Sequence, residues 1–181
     1  MKQYYGDRMI TPACKVTVIT KQRIDNRDWK VRARIDLAGR QSYHDYYVRI
    51  EDRSINIEWE ATVGFWSMPV KTYLALGTPK NVVARVRAEI ANYYNYYFSG
   101  KGQAFQSVDM NTENGPPTHG YVRRGTPVYK ELLSILADGN PHDITLAISN
   151  IDEHTDHAVI NAVLSRTWIM PDEDEKPPCS H

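Results

Sequence analysis

The sequence predicts an α+β fold, with an antiparallel four-stranded meander, two helices and a C-terminal hairpin, arranged as an OB-like or other partly closed barrel. Three observations carry that expectation. Residues 15–61 alternate apolar and polar side chains in short runs separated by turn-sized links, which is the period of half-buried strands. Thr78-Pro79 and Thr126-Pro127 each open a stretch with apolar residues at three- and four-residue steps, closed by Gly100 and Gly139; these are start and stop signals of helices. Residues 144–148 and 158–170 are rich in β-branched side chains and flank a polar loop, as hairpin strands do.

Taken in order, residues 1–14 read as an N-terminal arm, and Lys15 to Thr20 as the first strand. Trp29 to Leu37 sets Trp29, Val31, Ala33, Ile35 and Leu37 on one face and Lys30, Arg32, Arg34 and Asp36 on the other. In Tyr43 to Ile50 the expected inward residues are Tyr46, Val48 and Ile50, with Tyr43, Tyr47 and Arg49 outward. Ile55, Ile57, Trp59 and Ala61 alternate with Asn56, Glu58 and Glu60, giving a fourth strand. An apolar connector over 64–77 leads to a helix over 79–98, striped by Val82, Val86, Ile90, Tyr93 and Tyr97 and widened by Val83 and Tyr94. Gln103 to Met110 reads as a strand and 111–120 as a loop. The second helix starts at Thr126-Pro127, carries Leu132, Leu133, Ile135 and Leu136, and stops at Gly139. Ile144 to Ile148 then pairs with 158–170 across a loop over 150–157; a helix over 155–166 is the rival reading. One domain is expected over 1–170, followed by an acidic disordered tail, 171–181.

With 181 residues, 41% apolar and 24% charged, the chain can bury a core and is not wholly disordered. No apolar run reaches the ~20 residues of a membrane span, and the first residues lack the apolar stretch of a signal peptide. Cys14 and Cys179 are too few for a disulfide framework or a zinc cage. A cytoplasmic protein with no membrane partner is expected. The formal charge of zero hides an asymmetry. Residues 1–101 hold 17 Lys and Arg against 10 Asp and Glu, whereas 102–181 hold 5 against 12.

Catalytic signatures are missing from the sequence: no nucleophile elbow, no phosphate-cradling loop and no dinucleotide fingerprint. His154-Thr155-Asp156-His157 resembles part of the metallo-β-lactamase signature H-x-H-x-D-H, but Asp152 stands where its first histidine should be. A catalytic zinc needs three converging ligands, so a solvated loop is the simpler reading, and neither a metal nor any other cofactor is expected. His44-Asp45 lies on a strand, where neighbours point to opposite faces. A non-enzymatic protein follows.

Lys30, Arg32, Arg34 and Arg49, with Tyr43 and Tyr47, share the expected wet face of the sheet. Cations for phosphates beside rings for unpaired bases suit a single strand of nucleic acid; a surface neutralised by its own carboxylates, with Glu58 and Glu60 opposite Arg32 and Arg34, is the alternative. The layout, a basic β-rich body with an acidic tail, is similar to phage and bacterial single-strand-binding proteins, which use an OB barrel and a partner-docking tail. This tail departs from theirs by ending Pro-Pro-Cys-Ser-His. The expected function is therefore single-stranded nucleic-acid binding. The alternative is a small protein-binding inhibitor or adaptor, phage-encoded in one version, whose interface is the tyrosine-rich helix with Tyr94, Tyr96, Arg85 and Arg87.

Overall fold

The computed structural model describes residues 15–37, 40–52, 54–65, 67, 81–112, 118–149 and 157–170. The expected arm, most of the 64–77 connector, Thr78-Pro79, the middle of the 111–120 loop, all but the last residue of the 150–157 loop and the acidic tail lie outside them. Where the sequence suggested one domain over 1–170, the chain forms two compact units, Met1–Ile57 and Glu58–His181. The charge asymmetry is smaller at this boundary than at residue 101: the first unit has 12 Lys and Arg against 7 Asp and Glu, and the second 10 against 15.

The first unit is the expected antiparallel meander. Strands β1 (Lys15–Arg23), β2 (Asp28–Leu37), β3 (Arg40–Glu51) and β4 (Ser54–Ile57) lie side by side in chain order. Alternation decides the faces: Trp29 opposes Val48 and Val31 opposes Tyr46 on the apolar side, while Asp28 opposes Arg49 and Arg32 opposes Asp45 on the polar side. Asp25 makes the β1–β2 turn, its Oδ1 accepting from the amides of Arg27 at 2.7 Å and Asp28 at 2.8 Å. Burial works against its charge, but those two amides together with the Arg27 charge hold Asp25 below the ordinary carboxylate range. The fourth strand stops at Ile57, short of the expected Ala61. Trp59–Thr62 is instead a single helical turn, α1, with Thr62 N–H donating to Glu58 O at 2.8 Å. Glu60 is drawn to Arg85 (Nη2–Oε2 2.7 Å) and Ala61 is buried.

The second unit is a closed five-stranded barrel of β5 (Val82–Ala91), β6 (Phe105–Asn111), β7 (Thr118–Arg123), β8 (His142–Ser149) and β9 (His157–Ser165), ordered β5-β6-β7-β9-β8. All its pairings are antiparallel except β7–β9. Closure leaves no edge for foreign strands to extend. Val82, Ala84, Val86, Val108, Met110, Val122, Ile144, Leu146, Ile148 and Ile160 pack together in the core, joined by Leu132 and Leu136 of α2 (Pro127–Leu136), the helix between β7 and β8. As predicted, Thr126 caps α2, its Oγ1 accepting from Tyr129 N–H at 3.2 Å, with Pro127 in the first turn. Gly120 is needed for close packing: a Cβ there would sit 2.8 Å from Met110 Sδ and 3.0 Å from Ile160 Cδ1. The expected strands over 103–110, 144–148 and 158–170 correspond to β6, β8 and β9, and the helical alternative for 155–166 is excluded over the described residues 157–165.

The expected helix over 79–98 is overturned: Val82–Ala91 is strand β5, and Tyr96–Phe98 is one 3-10 turn. Val82, Val86 and Ile90 recur at steps of four, which is close to one helical turn but also an even number of residues, so the same three fit one face of a strand. Ala84 and Ala88 fill the intervening even positions and are buried, while Arg87 opposite them is exposed. Arg85, also on the outer side, is buried by its own partners: it donates to Trp168 O at 2.8 Å and Phe65 O at 3.0 Å and pairs with Glu60. Burial lowers its pKa from the ordinary guanidinium value, with Glu60 pulling the other way. β7 has no counterpart among the expected elements.

Candidate functional site

On the polar face of the meander the four cations picked for phosphate lie beside carboxylates. Arg32 Nε lies 3.4 Å and Lys30 Nζ 3.5 Å from Asp45, and Arg34 Nε lies 3.6 Å from Asp36. Arg49 and Asp28 form a buried two-point pair, Nε–Oδ1 2.9 Å and Nη2–Oδ2 3.2 Å. Tyr43 is exposed as expected, but Tyr47, expected outward for stacking, is 1% exposed, with Lys30 Nζ 5.3 Å from its ring centroid. The carboxylates beside these cations are Asp45, Asp36 and Asp28. In the order β1-β2-β3-β4, β2 has only β1 and β3 as neighbours, so the partners of its cations come from β3 and from β2 itself. Four of the six residues picked for nucleic acid are thus cations held by the protein's own acids, and a fifth is buried.

The aromatic run folds differently. Residues 92–104 connect β5 to β6 and lie against the outside of β6 and β7. Phe98 is fully buried and stacks on Tyr121, centroids 3.7 Å apart, with edge contacts to Tyr97 and Phe105 at 5.0 Å. Asn95 N–H donates to Tyr121 Oη at 3.0 Å, while Asn95 Oδ1 accepts from Phe98 N–H at 3.2 Å. Tyr94 Oη donates to Phe105 O at 3.2 Å. Arg124 donates to the carbonyls of Gly102 (2.9 Å) and Phe105 (3.1 Å) and to Gln106 Oε1 (2.6 Å). Gly100 closes the 3-10 turn at φ 73°, a left-handed conformation that favours glycine.

This anchoring displays other rings. Tyr96 is 99% exposed and Tyr93 52% exposed, Tyr93 resting on His119 with centroids 4.2 Å apart. Lys101 Nζ sits 3.7 Å from the Tyr97 ring centroid. Arg87 and Arg123 are exposed. Of the residues expected to meet a protein partner, Tyr96 and Arg87 are therefore accessible, Tyr94 is half-buried in the anchor and Arg85 is inside. Sequence reasoning missed Lys101, Arg123 and the pair His119–Asp109, whose Nδ1 and Oδ1 are 2.7 Å apart. The available signal was the run of tyrosines ending at Ser99-Gly100. Read as a turn-terminated loop, it exposes rings that a helix would share with a core.

Among the described residues no three His, Cys, Asp or Glu side chains converge as a metal site, and no helix is long and apolar enough to cross a membrane. His154 and Asp156 lie outside the described residues. Comparison with protein families, curated proteins and solved structures finds no match to this chain.

Proposed function

We propose that the second unit is an OB-like barrel that binds single-stranded nucleic acid through the loop 92–104, with no catalytic role. The observation that carries this reading is the display of Tyr96 and Tyr93 on a loop anchored by buried Phe98 and Tyr121. The order β5-β6-β7-β9-β8, its parallel β7–β9 pair and a helix between the third and fourth strands support the OB-like assignment. In that fold the face of the second and third strands and the loop between the first two take up oligonucleotides. Exposed tyrosines stack on unpaired bases for roughly 1–3 kcal/mol each, and Lys101, Arg123 and Arg87 are the nearby phosphate partners. The meander's paired cations have no part in it. Fold alone does not carry function, so the weight rests on the rings.

The test is fluorescence anisotropy of a labelled single-stranded oligonucleotide with the full chain at low salt. Tyr96→Ala and Tyr93→Ala weaken binding, and Arg32→Ala with Arg34→Ala leaves it unchanged. No binding by the wild type, or equal binding by Tyr96→Ala, overturns the proposal.

A protein-binding adaptor is the second reading, favoured by Val16, Val18, Ile19, Ile50, Ile55 and Ile57, large aliphatic residues left exposed on β1, β3 and β4. Exposed apolar groups of this kind mark protein interfaces. Co-purification of one partner lost on Ile55→Lys, together with absent oligonucleotide binding, would favour it.

A further inference from the structure

Tyr93 rests on a row of polar side chains that stacking alone does not explain. Glu89 on β5 is the cross-strand partner of Asp109 on β6, and Asp109 of His119 on β7. The three share the outer side of the barrel, while Val108 and Met110 turn into the core. Asp109 Oδ1 lies 2.7 Å from His119 Nδ1. A carboxylate accepts, so Nδ1 carries a proton and Nε2 is the atom that gains or loses one. The Tyr93 ring packs on the imidazole face, with centroids 4.2 Å apart and 31° between planes. The side chains of His119 and Asp109 remain part-exposed, so a strand lying on Tyr93 can reach the imidazole edge.

Charge decides what this row does to a phosphodiester. With the imidazole neutral, Asp109 leaves the pair negative, and Glu89 adds a second negative charge one strand away, about 4.8 Å in the pairing direction. That row repels the backbone of a strand stacked on Tyr93 and Tyr96. A second proton, at Nε2, cancels the charge of Asp109 and turns an acceptor into a charged N–H donor. Histidine makes this change between about pH 5 and 8. The groups around it are Asp109 on β6 with Glu89 beyond it on β5, Tyr93 from the loop, and His157 in register on β9.

Resting on the single-strand reading of this loop, we propose that His119 is its proton-dependent phosphate contact. The strand binds more tightly when the imidazole is doubly protonated, and Asp109 fixes the ring's tautomer and orientation. A charge-assisted hydrogen bond to phosphate makes the gain roughly tenfold. By linkage, binding raises the His119 titration midpoint by about one pH unit, the equivalent of that gain.

Anisotropy of labelled oligothymidylate, whose bases do not titrate in this range, tests the proposal with the full chain at fixed ionic strength. Affinity is expected to rise roughly tenfold from about pH 8 to about pH 5.5. His119→Gln cuts that gain to less than about threefold, and His157→Gln keeps it. In the wild type, the His119 imidazole proton signals titrate about one unit higher with oligothymidylate bound than without, while those of His44 and His142 do not move. Equal binding at both pH values, a gain that survives His119→Gln or vanishes in His157→Gln, or an unmoved His119 midpoint overturns this inference and leaves the single-strand reading standing. No binding at either pH overturns that reading, and the inference with it.

Discussion

Removing the Arg49 side chain separates a structural role from a phosphate-binding one. Arg49 and Asp28 are 9% and 7% exposed in their side chains and meet through two contacts, at 2.9 and 3.2 Å. In Arg49→Met the stem is kept but Asp28 is left buried without its cation, at a cost of about 3–5 kcal/mol. At roughly 0.05–0.15 kcal/mol per residue, a unit of this size holds only about 3–8 kcal/mol, so the loss rivals its whole stability. Amide hydrogen exchange reads it locally. Protection of β2 and β3 falls by about two to three and a half decades, while the barrel strands keep theirs. Asp28→Leu combined with Arg49→Met removes both charges and restores protection to within about tenfold of wild type. Protection in Arg49→Met within about threefold of wild type, with oligonucleotide affinity reduced, would refute the reasoning and return Arg49 to the phosphate partners.

Three further outcomes follow from the geometry. Tyr96→Ala leaves the urea midpoint unchanged, since the ring is 99% exposed and exposed substitutions stay within about 0.5 kcal/mol, yet lowers single-strand affinity by roughly 5- to 150-fold. Gly120→Ala lowers barrel stability by about 1–3 kcal/mol through overpacking, toward the lower figure because the nearest atom is the flexible tip of Met110; equilibrium urea unfolding measures it. Asp138, whose carboxylate accepts from the Asn140 backbone N–H, His142 and the Asn140 side chain, is held at a pKa of about 2. A depressed carboxylate stabilises the fold above its unfolded value near 3.8 and ceases to do so as pH falls toward about 2. A carboxyl-carbon NMR titration with its midpoint near 4 would contradict this.

The meander, α2 and the C-terminal hairpin were legible because each is dictated locally, by strict alternation, by Thr126-Pro127 with Gly139, and by a β-branched run. β5 was not, because Val82, Val86 and Ile90 satisfy both periods, and the deciding signal lay in Ala84 and Ala88, small residues with little pattern weight. β7 is short and contains Gly120, the residue that lets Met110 and Ile160 close over it, so its tertiary need masked its strand character. The candidate site was half legible. The tyrosine run drew notice as a surface, but its display depends on Phe98 finding Tyr121, a contact between residues 23 positions apart in sequence. The carboxylates beside the sheet cations were not legible, because alternation reports which face a residue is on and not which acid lies beside it; Asp45 and Asp28 find their partners only once β2–β3 register is fixed.

The salt dependence of single-strand affinity tests the central claim most directly. Affinity measured from low to physiological salt should fall linearly on a log–log plot. Lys101→Ala and Arg123→Ala should each reduce the slope by about 0.7, and Arg32→Ala with Arg34→Ala should leave it intact. Affinity that does not respond to salt, or a slope that shrinks only when the meander's arginines are removed, would contradict binding at the barrel loop.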